Sequence, residues 1–191
     1  MASGIGGGER TADARARAEG IRVVAFDVDG TLTDGALFIG PSGEAMKAFS
    51  VHDGFGLTLL RDAGLRLAIV TGRGSAIVET RAAELQFDAV MQRVRDKAAA
   101  VRELATRFGC TPEAVAYMGD DWPDLPAMAL AGLAAAPSDA RPPVLACAHW
   151  ISASPAGRGA VREFAEWLLE ARGAREALLA LHRAGIGPNA Q

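Results

Sequence analysis

Aspartates follow short apolar runs at two points along this sequence, and they are the residues with the most chemistry to offer. Asp27 and Asp29 come directly after the first run, in the segment DVDGT. Three more follow a later run: Asp120, Asp121 and Asp124. Asp-x-Asp spacing on an extended segment turns both carboxylates to the same side. One carboxylate of such a pair can attack phosphorus while the other transfers a proton to the leaving group.

Carboxylates that converge need a cation between them. Two unit charges about 4 Å apart repel by roughly 4 kcal/mol at an effective dielectric constant of about 20. An all-oxygen ligand set suits Mg²⁺. Lys97, at the start of a predicted helix, adds a fixed positive charge, and Thr71 adds a hydroxyl after another apolar run. Together these groups can hold and transfer a phosphoryl group, and the proton donor favours a phosphatase over a carbon–halogen hydrolase.

The elements that must position these residues alternate between strand and helix. Apolar runs of strand length cover residues 21–26, 67–70, 89–91, 114–118 and 133–136, with a weaker run near Trp150. Helical patterns cover residues 54–63, 75–85, 96–108, 124–130 and 159–172. Continuous apolar strands separated by helices indicate an α/β fold, a Rossmann-like parallel sheet with helices on both faces. The aspartates then meet beyond the carboxyl ends of the strands, where such sheets bind ligands.

The chain divides into three parts by composition. Residues 1–20 are predicted to be a flexible N-terminal segment, although residues 11–19 could form a short helix. Residues 21–172 form the phosphatase domain, and residues 173–191 a C-terminal helical extension and tail. Two strand-like pieces flank Gly40-Pro41-Ser42-Gly43, which predicts a β-hairpin insert over residues 36–49 in place of a cap domain. Its apolar side chains predict an interface.

Length, charge and hydropathy narrow the class of partner. The 191 residues, half of them hydrophobic, suit one globular domain. A net charge of −3 gives no electrostatic reason to expect nucleic acid or an anionic membrane as partner. The N-terminus has no apolar core like that of a signal peptide, and no apolar run approaches the ~18 residues of a membrane span. A cytoplasmic enzyme for a small anionic substrate is therefore expected.

Four motifs in order resemble the haloacid dehalogenase superfamily, small-capped branch. They are DVDGTLTDG, TGRGSAIVETRAAEL, QRVRDK and MGDDWPDLPAM, and the resemblance covers residues 21–172. It implies a homotetramer whose hairpins help close neighbouring active sites. It also implies a phosphorylated sugar acid as substrate, 3-deoxy-D-manno-octulosonate 8-phosphate, in lipopolysaccharide biosynthesis.

The resemblance also implies a role for each site residue. Asp27 is the nucleophile and Asp29 the acid–base residue. Mg²⁺ is held by Asp27, the backbone carbonyl of Asp29, and Asp120, supported by Asp121 or Asp124. The phosphate is bound by Thr71, Gly72 and Lys97. The sugar acid lies near Asp53, Arg73 and Arg81. Two departures fall near the expected substrate, because His52 stands where relatives often have Arg and Arg93 where they often have Gly.

Two other functions remain open from the sequence. The same chemistry could act on a nine-carbon ulosonic acid 9-phosphate of the sialic-acid type. The domain could instead be a non-catalytic oligomeric or regulatory module, although the complete acidic set argues against it. A calcium-binding loop at DVDG is excluded, because its glycine comes fourth rather than sixth.

Overall fold

The computed structural model describes residues 8–9 and 13–185. Its strands are β1 (Gly8–Glu9), β2 (Val23–Phe26), β3 (Phe38–Gly40), β4 (Gly43–Met46), β5 (Arg66–Val70), β6 (Ala89–Met91), β7 (Val115–Met118), β8 (Leu133–Ala136) and β9 (Trp150–Ile151). Its helices are α1 (Ala14–Glu19), α2 (Val51–Asp62), α3 (Ala76–Glu84), α4 (Lys97–Arg107), α5 (Leu125–Leu130), α6 (Pro142–Cys147), α7 (Ala160–Ala171) and α8 (Arg175–Arg183).

Within the described part of the chain, seven strands form one sheet, in the order β1-β9-β8-β7-β2-β5-β6. Only β1 pairs antiparallel, with β9, and the other described pairs in this sheet are parallel. Phe26 at the end of β2 lies beside Ile69 of β5 and Met118 of β7. The strand order reverses at β2, which opens a crevice at its carboxyl end. The predicted α/β fold with a parallel sheet is confirmed.

The core lies on both faces of this sheet. Every residue of β2 is buried, as expected of a strand covered on two sides. Val24 and Phe26 belong to one apolar cluster, which includes Phe164 of α7. Val23 belongs to the opposite cluster, which includes Leu104 of α4. Side chains that alternate between the two faces anchor β2 in the core. Asp27, which directly follows β2, is therefore held in a fixed position.

The N-terminal segment is more ordered than the sequence suggests. Strand β1 extends the sheet beside β9, and Ala14 and Ala18 of α1 have no exposed surface. Arg172 donates hydrogen bonds to the carbonyls of Ala18 and Ile21, which ties α1 to the end of α7. Helix α1 lies within residues 11–19, where the sequence allowed a short helix, and alanines spaced by four bury one of its faces. Residues 1–7 and 10–12, over which the flexible segment was also predicted, lie outside the described part of the chain.

The hairpin insert forms a separate two-stranded sheet. Gly40 pairs with Gly43 across Pro41 and Ser42, and Gly43 has φ of +108°, a conformation that favours glycine. The hairpin presents exposed apolar side chains: Leu37, Phe38, Ile39 and Met46. Such a cluster on a projecting element is typical of an interface.

Helix α8 follows α7 after Gly173, within the predicted C-terminal extension. Leu178 packs against the core, and the ring of His182 meets that of Phe55 edge-on at 5.4 Å between centroids. None of the helices in residues 8–9 and 13–185 has the length and apolar character needed to cross a membrane.

Candidate active site

The carboxyl ends of β2, β5 and β7 open onto a cavity of about 200 Å³. Its lining residues are Asp27, Asp29, Thr71, Gly72, Arg73, Val94, Arg95, Lys97, Asp120, Asp121, Pro123 and Asp124. Nine of the eleven site residues predicted from the sequence are in that set; Asp53 and Arg81 are not. The parallel strands bring these nine together although they are far apart in the chain.

Lys97 bridges two buried carboxylates at the floor of the cavity. Its Nζ lies 2.7 Å from Asp27 Oδ1 and 2.6 Å from Asp124 Oδ1. Asp96 caps α4 by accepting a hydrogen bond from the N–H of Ala99, which fixes Lys97 in the first turn. A cation at a helix N-terminus opposes the helix dipole. The ion pairs with Asp27 and Asp124 offset that cost and hold the Lys97 side chain in place.

Asp124 organises the acidic loop. Its Oδ1 accepts hydrogen bonds from Lys97 and from the Tyr117 hydroxyl at 2.8 Å. Its Oδ2 accepts the backbone N–H groups of Asp120 and Asp121 at 3.0 and 3.1 Å. Four donors occupy the lone pairs of this carboxylate. Asp124 is therefore placed to orient the loop, whereas Asp120 keeps an oxygen available for a ligand.

Asp120 packs directly on the loop that carries Asp27. Its Oδ1 accepts a hydrogen bond from the Thr31 hydroxyl at 3.2 Å. A Cβ atom at Gly30 would lie 2.1 Å from Asp120 Oδ2, and Gly30 has φ of +95°. Both facts require glycine at this position. The glycine of the DVDG segment thus lets the two acidic loops approach.

The acidic cluster carries uncompensated negative charge. Oxygens of Asp27, Asp120 and Asp124 lie within 4.8 Å of one another. Burial raises the pKa of Asp27 to about 6, although the Lys97 charge opposes this. Burial, then the charges of Asp27 and Asp124, raises the pKa of Asp120 to about 7. Three ionised carboxylates and one ammonium leave two negative charges, which matches a divalent cation with oxygen ligands.

Comparison with known proteins identifies the family. The family described as haloacid dehalogenase-like hydrolase matches residues 80–164. The 3-deoxy-D-manno-octulosonate 8-phosphate phosphatase KdsC of Yersinia pestis is 43% identical over 156 residues, which are 82% of this chain and 83% of that protein. The chain belongs to the haloacid dehalogenase-like hydrolases.

Other members of this hydrolase family agree in sequence and in structure. The enzyme of the same name from Escherichia coli (strain K12) is 41% identical over 166 residues, 87% of this chain and 88% of that protein. The phosphatase of Moraxella catarrhalis, crystallised in complex with magnesium ion, phosphate ion and KDO molecule, has a TM-score of 0.87 at 37% identity. That match covers 91% of this chain and 99% of the other. Identity and coverage at this level place the chain among the phosphatases of the family.

The second aspartate of this haloacid dehalogenase-like hydrolase meets a network that the sequence did not reveal. Asp29 Oδ1 contacts Nζ of Lys47, and its Oδ2 lies 3.5 Å from Nε of Arg73. Glu44 lies 2.9 Å from Lys47 and accepts a hydrogen bond from the Ser75 hydroxyl. The placement of a glutamate in β4 and a lysine directly after it, in the hairpin that follows DVDGT, was the available signal. Arg95, also unpredicted, lines the cavity near Lys97.

Two residues predicted to contact the sugar lie elsewhere. Asp53 is buried, and its two oxygens accept the backbone N–H groups of Gly159 and Arg162 at 3.2 and 2.9 Å. It therefore anchors the start of α7, and a sugar contact by Asp53 stays a prediction. Arg81 pairs with Glu84 at 2.8 Å and does not line the cavity. A sugar contact by Arg81 stays a prediction.

The two departures from the resemblance occupy different settings. Arg93 has φ of +57°, a left-handed conformation that favours glycine. Its guanidinium crowds Gly74, where a Cβ atom would lie 2.7 Å from Arg93 Cζ. His52 is exposed in the first turn of α2 and does not line the cavity. Arg93 thus borders the loop after β5, whereas His52 faces outward.

The raised pKa values predict how the metal-free hydrolase responds to pH. Asp27 and Asp120 hold protons in the folded chain up to about pH 6 and 7, whereas the unfolded chain releases them near their ordinary value of 3.8. The folded state therefore binds more protons between about pH 4 and 7, and stability falls as pH rises through this window. Hydrogen bonding to Ser75 lowers the pKa of Glu44, a shift opposite in direction to those of Asp27 and Asp120.

We expect the chelated protein to melt about 5 °C higher at pH 5.5 than at pH 7.5, measured by differential scanning calorimetry. Magnesium should stabilise the protein more at the higher pH. The Asp120→Asn variant should flatten both responses, whereas Glu103→Gln, at an exposed carboxylate of α4, should leave them unchanged. An identical pH response in wild type and Asp120→Asn would contradict the charge balance derived above.

Proposed function

We propose that this protein hydrolyses 3-deoxy-D-manno-octulosonate 8-phosphate to 3-deoxy-D-manno-octulosonate and phosphate. The observation that carries the proposal is the buried Asp27 carboxylate, held by Lys97 at the floor of a cavity with Asp120 beside it. Relatives with 41–43% identity over more than four-fifths of their length bear the name of this activity. The proposal assigns the chain a step in lipopolysaccharide biosynthesis.

The metal in this proposal is Mg²⁺. Its ligands from the chain are Asp27, the backbone carbonyl of Asp29, and Asp120, with Asp121 and Asp124 behind them. The fit rests on the two uncompensated negative charges of the cluster and on its all-oxygen donors. A bound Mg²⁺ supplies electrostatic stabilisation of the phosphoryl oxygens.

The residues of the chain perform two displacements at phosphorus. Asp27 attacks, and its bond to phosphorus forms as the ester bond breaks, giving an aspartyl-phosphate. Asp29 gives its proton to the leaving sugar oxygen, then takes a proton from the water that cleaves the aspartyl-phosphate. Lys97, the Thr71 hydroxyl and the backbone N–H of Gly72 hold the phosphoryl oxygens. Arg73, about half exposed at the cavity, faces the sugar acid.

The assembly in this proposal is a homotetramer in the cytoplasm. The hairpins of the four copies pack together, and each helps to close a neighbouring active site, where Arg81 of the neighbour reaches the sugar acid. The exposed apolar side chains of the hairpin support this arrangement. The cytoplasmic location suits Cys110 and Cys147, which are both free.

Charge on the hairpin is expected to dissociate the tetramer. Ile39, 64% exposed, and Met46, 56% exposed, supply apolar surface that an interface would bury. We expect the double variant Ile39→Asp, Met46→Asp to be a monomer or dimer by light scattering. Its kcat/KM for the sugar phosphate should fall far more than that for p-nitrophenyl phosphate, which needs no distal contacts. Leu181→Asp, at an exposed apolar side chain of α8, is the control. A fully active wild-type monomer at assay concentration would contradict the proposed assembly.

A panel of phosphate esters with Mg²⁺ tests the activity itself. The members are 3-deoxy-D-manno-octulosonate 8-phosphate, a nine-carbon ulosonic acid 9-phosphate, glucose 6-phosphate and p-nitrophenyl phosphate. We expect kcat/KM for the first to exceed the others by at least about tenfold. A preference for the nine-carbon acid would change the substrate but keep the chemistry. No hydrolysis of any member would favour a non-catalytic regulatory module.

A further inference from the structure

One buried lysine joins the hairpin to the catalytic cavity. Lys47 follows β4 directly, and its side chain is 1% exposed although the hairpin around it is largely open to solvent. Its Nζ contacts the carboxylates of Asp29 and Glu44. Lysine is almost never fully buried unless it is paired. The position of Lys47 is therefore set by these two carboxylates.

Arg73 completes a four-membered ionic network. Its guanidinium lies 3.5 Å from Asp29 Oδ2 and 3.7 Å from Glu44 Oε1. Ser75, which also caps α3, donates its hydroxyl hydrogen to Glu44 Oε2. When Asp29 is ionised, as it is after giving up its proton, the two carboxylates and the two cations cancel in charge. Each oxygen of Asp29 thus faces a cation, and Glu44 is tied to the loop after β5.

The side chain of Asp29 lies apart from the other catalytic carboxylates. Among the described residues, the carboxylate oxygens that converge within 4.8 Å come from Asp27, Asp120 and Asp124. The side chain of Asp29 is not part of this group. Its direction instead follows from Lys47 and Arg73. Arg73 is 46% exposed and is free to turn towards a substrate, whereas Lys47 is enclosed. Lys47 is therefore the fixed element that orients Asp29.

We propose that Lys47 is a positioning residue for Asp29, and this inference rests on the proposed function. Lys47 holds the Asp29 carboxyl at the leaving-group side of the cavity and couples it to the hairpin. The leaving oxygen takes the proton of Asp29 as its bond to phosphorus breaks and the bond from Asp27 forms. In the second half, Asp29 takes a proton from water as the Asp27–phosphorus bond breaks. Lys47 makes no bond to the substrate in either half.

The dependence of the rate loss on the leaving group distinguishes a misplaced general acid from general disruption of the site. A sugar alkoxide needs a proton to depart, whereas p-nitrophenolate does not. General acid catalysis contributes about 10²–10⁴ in rate, and a misplacement of about 1 Å can cost about 10². We expect Lys47→Met to slow single-turnover cleavage of 3-deoxy-D-manno-octulosonate 8-phosphate about 100-fold, with its KM within about threefold of wild type. First-turnover release of p-nitrophenol should slow by less than about fivefold.

Matched variants make the experiment decisive. Lys47→Arg keeps the cation and should restore the sugar phosphate rate to within about tenfold of wild type. Arg102→Met removes an exposed cation of α4 outside the cavity and should change neither rate. Glu44→Gln loosens Lys47 while leaving its contact with Asp29, and should give the same leaving-group pattern at smaller amplitude. If Lys47→Met does not fold, Glu44→Gln provides the test in its place.

Two results would overturn the positioning role. One is equal slowing of both esters in Lys47→Met, which would indicate general disruption of the site. The other is an unchanged rate for the sugar phosphate. Both presuppose an active wild type. A wild type that cleaves neither ester would overturn the proposed function instead, so the two failures are distinguishable.

Discussion

Asp27→Asn is expected to abolish turnover of every phosphate ester, with a loss of at least about four orders of magnitude. The amide oxygen cannot attack phosphorus. Positioning by Lys97, Thr71 and Asp120 is expected to supply only the residual rate acceleration. The measurement is steady-state hydrolysis of 3-deoxy-D-manno-octulosonate 8-phosphate and of p-nitrophenyl phosphate. Residual activity above about 1% of wild type, in enzyme shown free of contaminating phosphatase, would contradict the assignment.

The same variant should fold at least as well as the wild type without metal. Asp27 is 6% exposed, and burial raises its pKa to about 6, so its ionisation at pH 7.5 costs more free energy in the folded chain than in the unfolded chain. An amide removes that charge while keeping the shape of the side chain. Asp27→Asn should therefore melt at or above the temperature of the chelated wild type at pH 7.5. A lost activity with a raised melting temperature cannot be explained by unfolding.

The covalent intermediate gives an independent measurement. Acid-quenched wild type in its first turnover should carry phosphate on the peptide that contains Asp27, detected by mass spectrometry. Asp27→Asn should carry none. The control Glu103→Gln changes an exposed carboxylate of α4 and should keep both activity and the phosphorylated peptide.

The parts of the fold that sequence predicted are those with local signals. Strands such as Val23–Phe26 are short, continuous apolar runs, and the acidic motifs stand directly after them. Their convergence needs only the rule that parallel strands end at one edge. By contrast, Pro142–Cys147 begins with two prolines, which suggest a loop although proline is well tolerated in the first turn of a helix.

The parts that sequence missed depend on contacts between distant residues. Asp53 accepts hydrogen bonds from residues 106 and 109 positions later, so its structural role has no local pattern. Lys47 reaches Asp29, 18 positions earlier, only because the hairpin returns the chain to the segment that carries Asp29. A lysine in an apolar hairpin has the same composition whether it points to solvent or to a carboxylate. Side-chain geometry was needed to tell the two apart.

Lys97→Met is expected to change turnover and metal affinity in opposite directions. Lys97 is 6% exposed and supplies the only positive charge in contact with Asp27 and Asp124 among the described residues. In the proposed function Lys97 binds the phosphate, so a fall in kcat of about 10²–10³ is expected from its loss. That loss also leaves three carboxylates without a cation. Mg²⁺ alone, measured by isothermal titration calorimetry, should therefore bind more tightly to the variant than to the wild type.

Stability separates this effect from simple misfolding. Removing one partner of a buried ion pair costs about 3–5 kcal/mol, because the remaining charge is left unpaired. The chelated variant should therefore melt well below the chelated wild type at pH 7.5. Mg²⁺ should recover more of the melting temperature in the variant than in the wild type, since it neutralises more excess charge. Arg102→Met, which removes a distant exposed cation, should show neither effect. Weaker Mg²⁺ binding in a folded Lys97→Met variant would contradict the charge balance. Three carboxylates that have lost the Lys97 ammonium should attract Mg²⁺ more strongly.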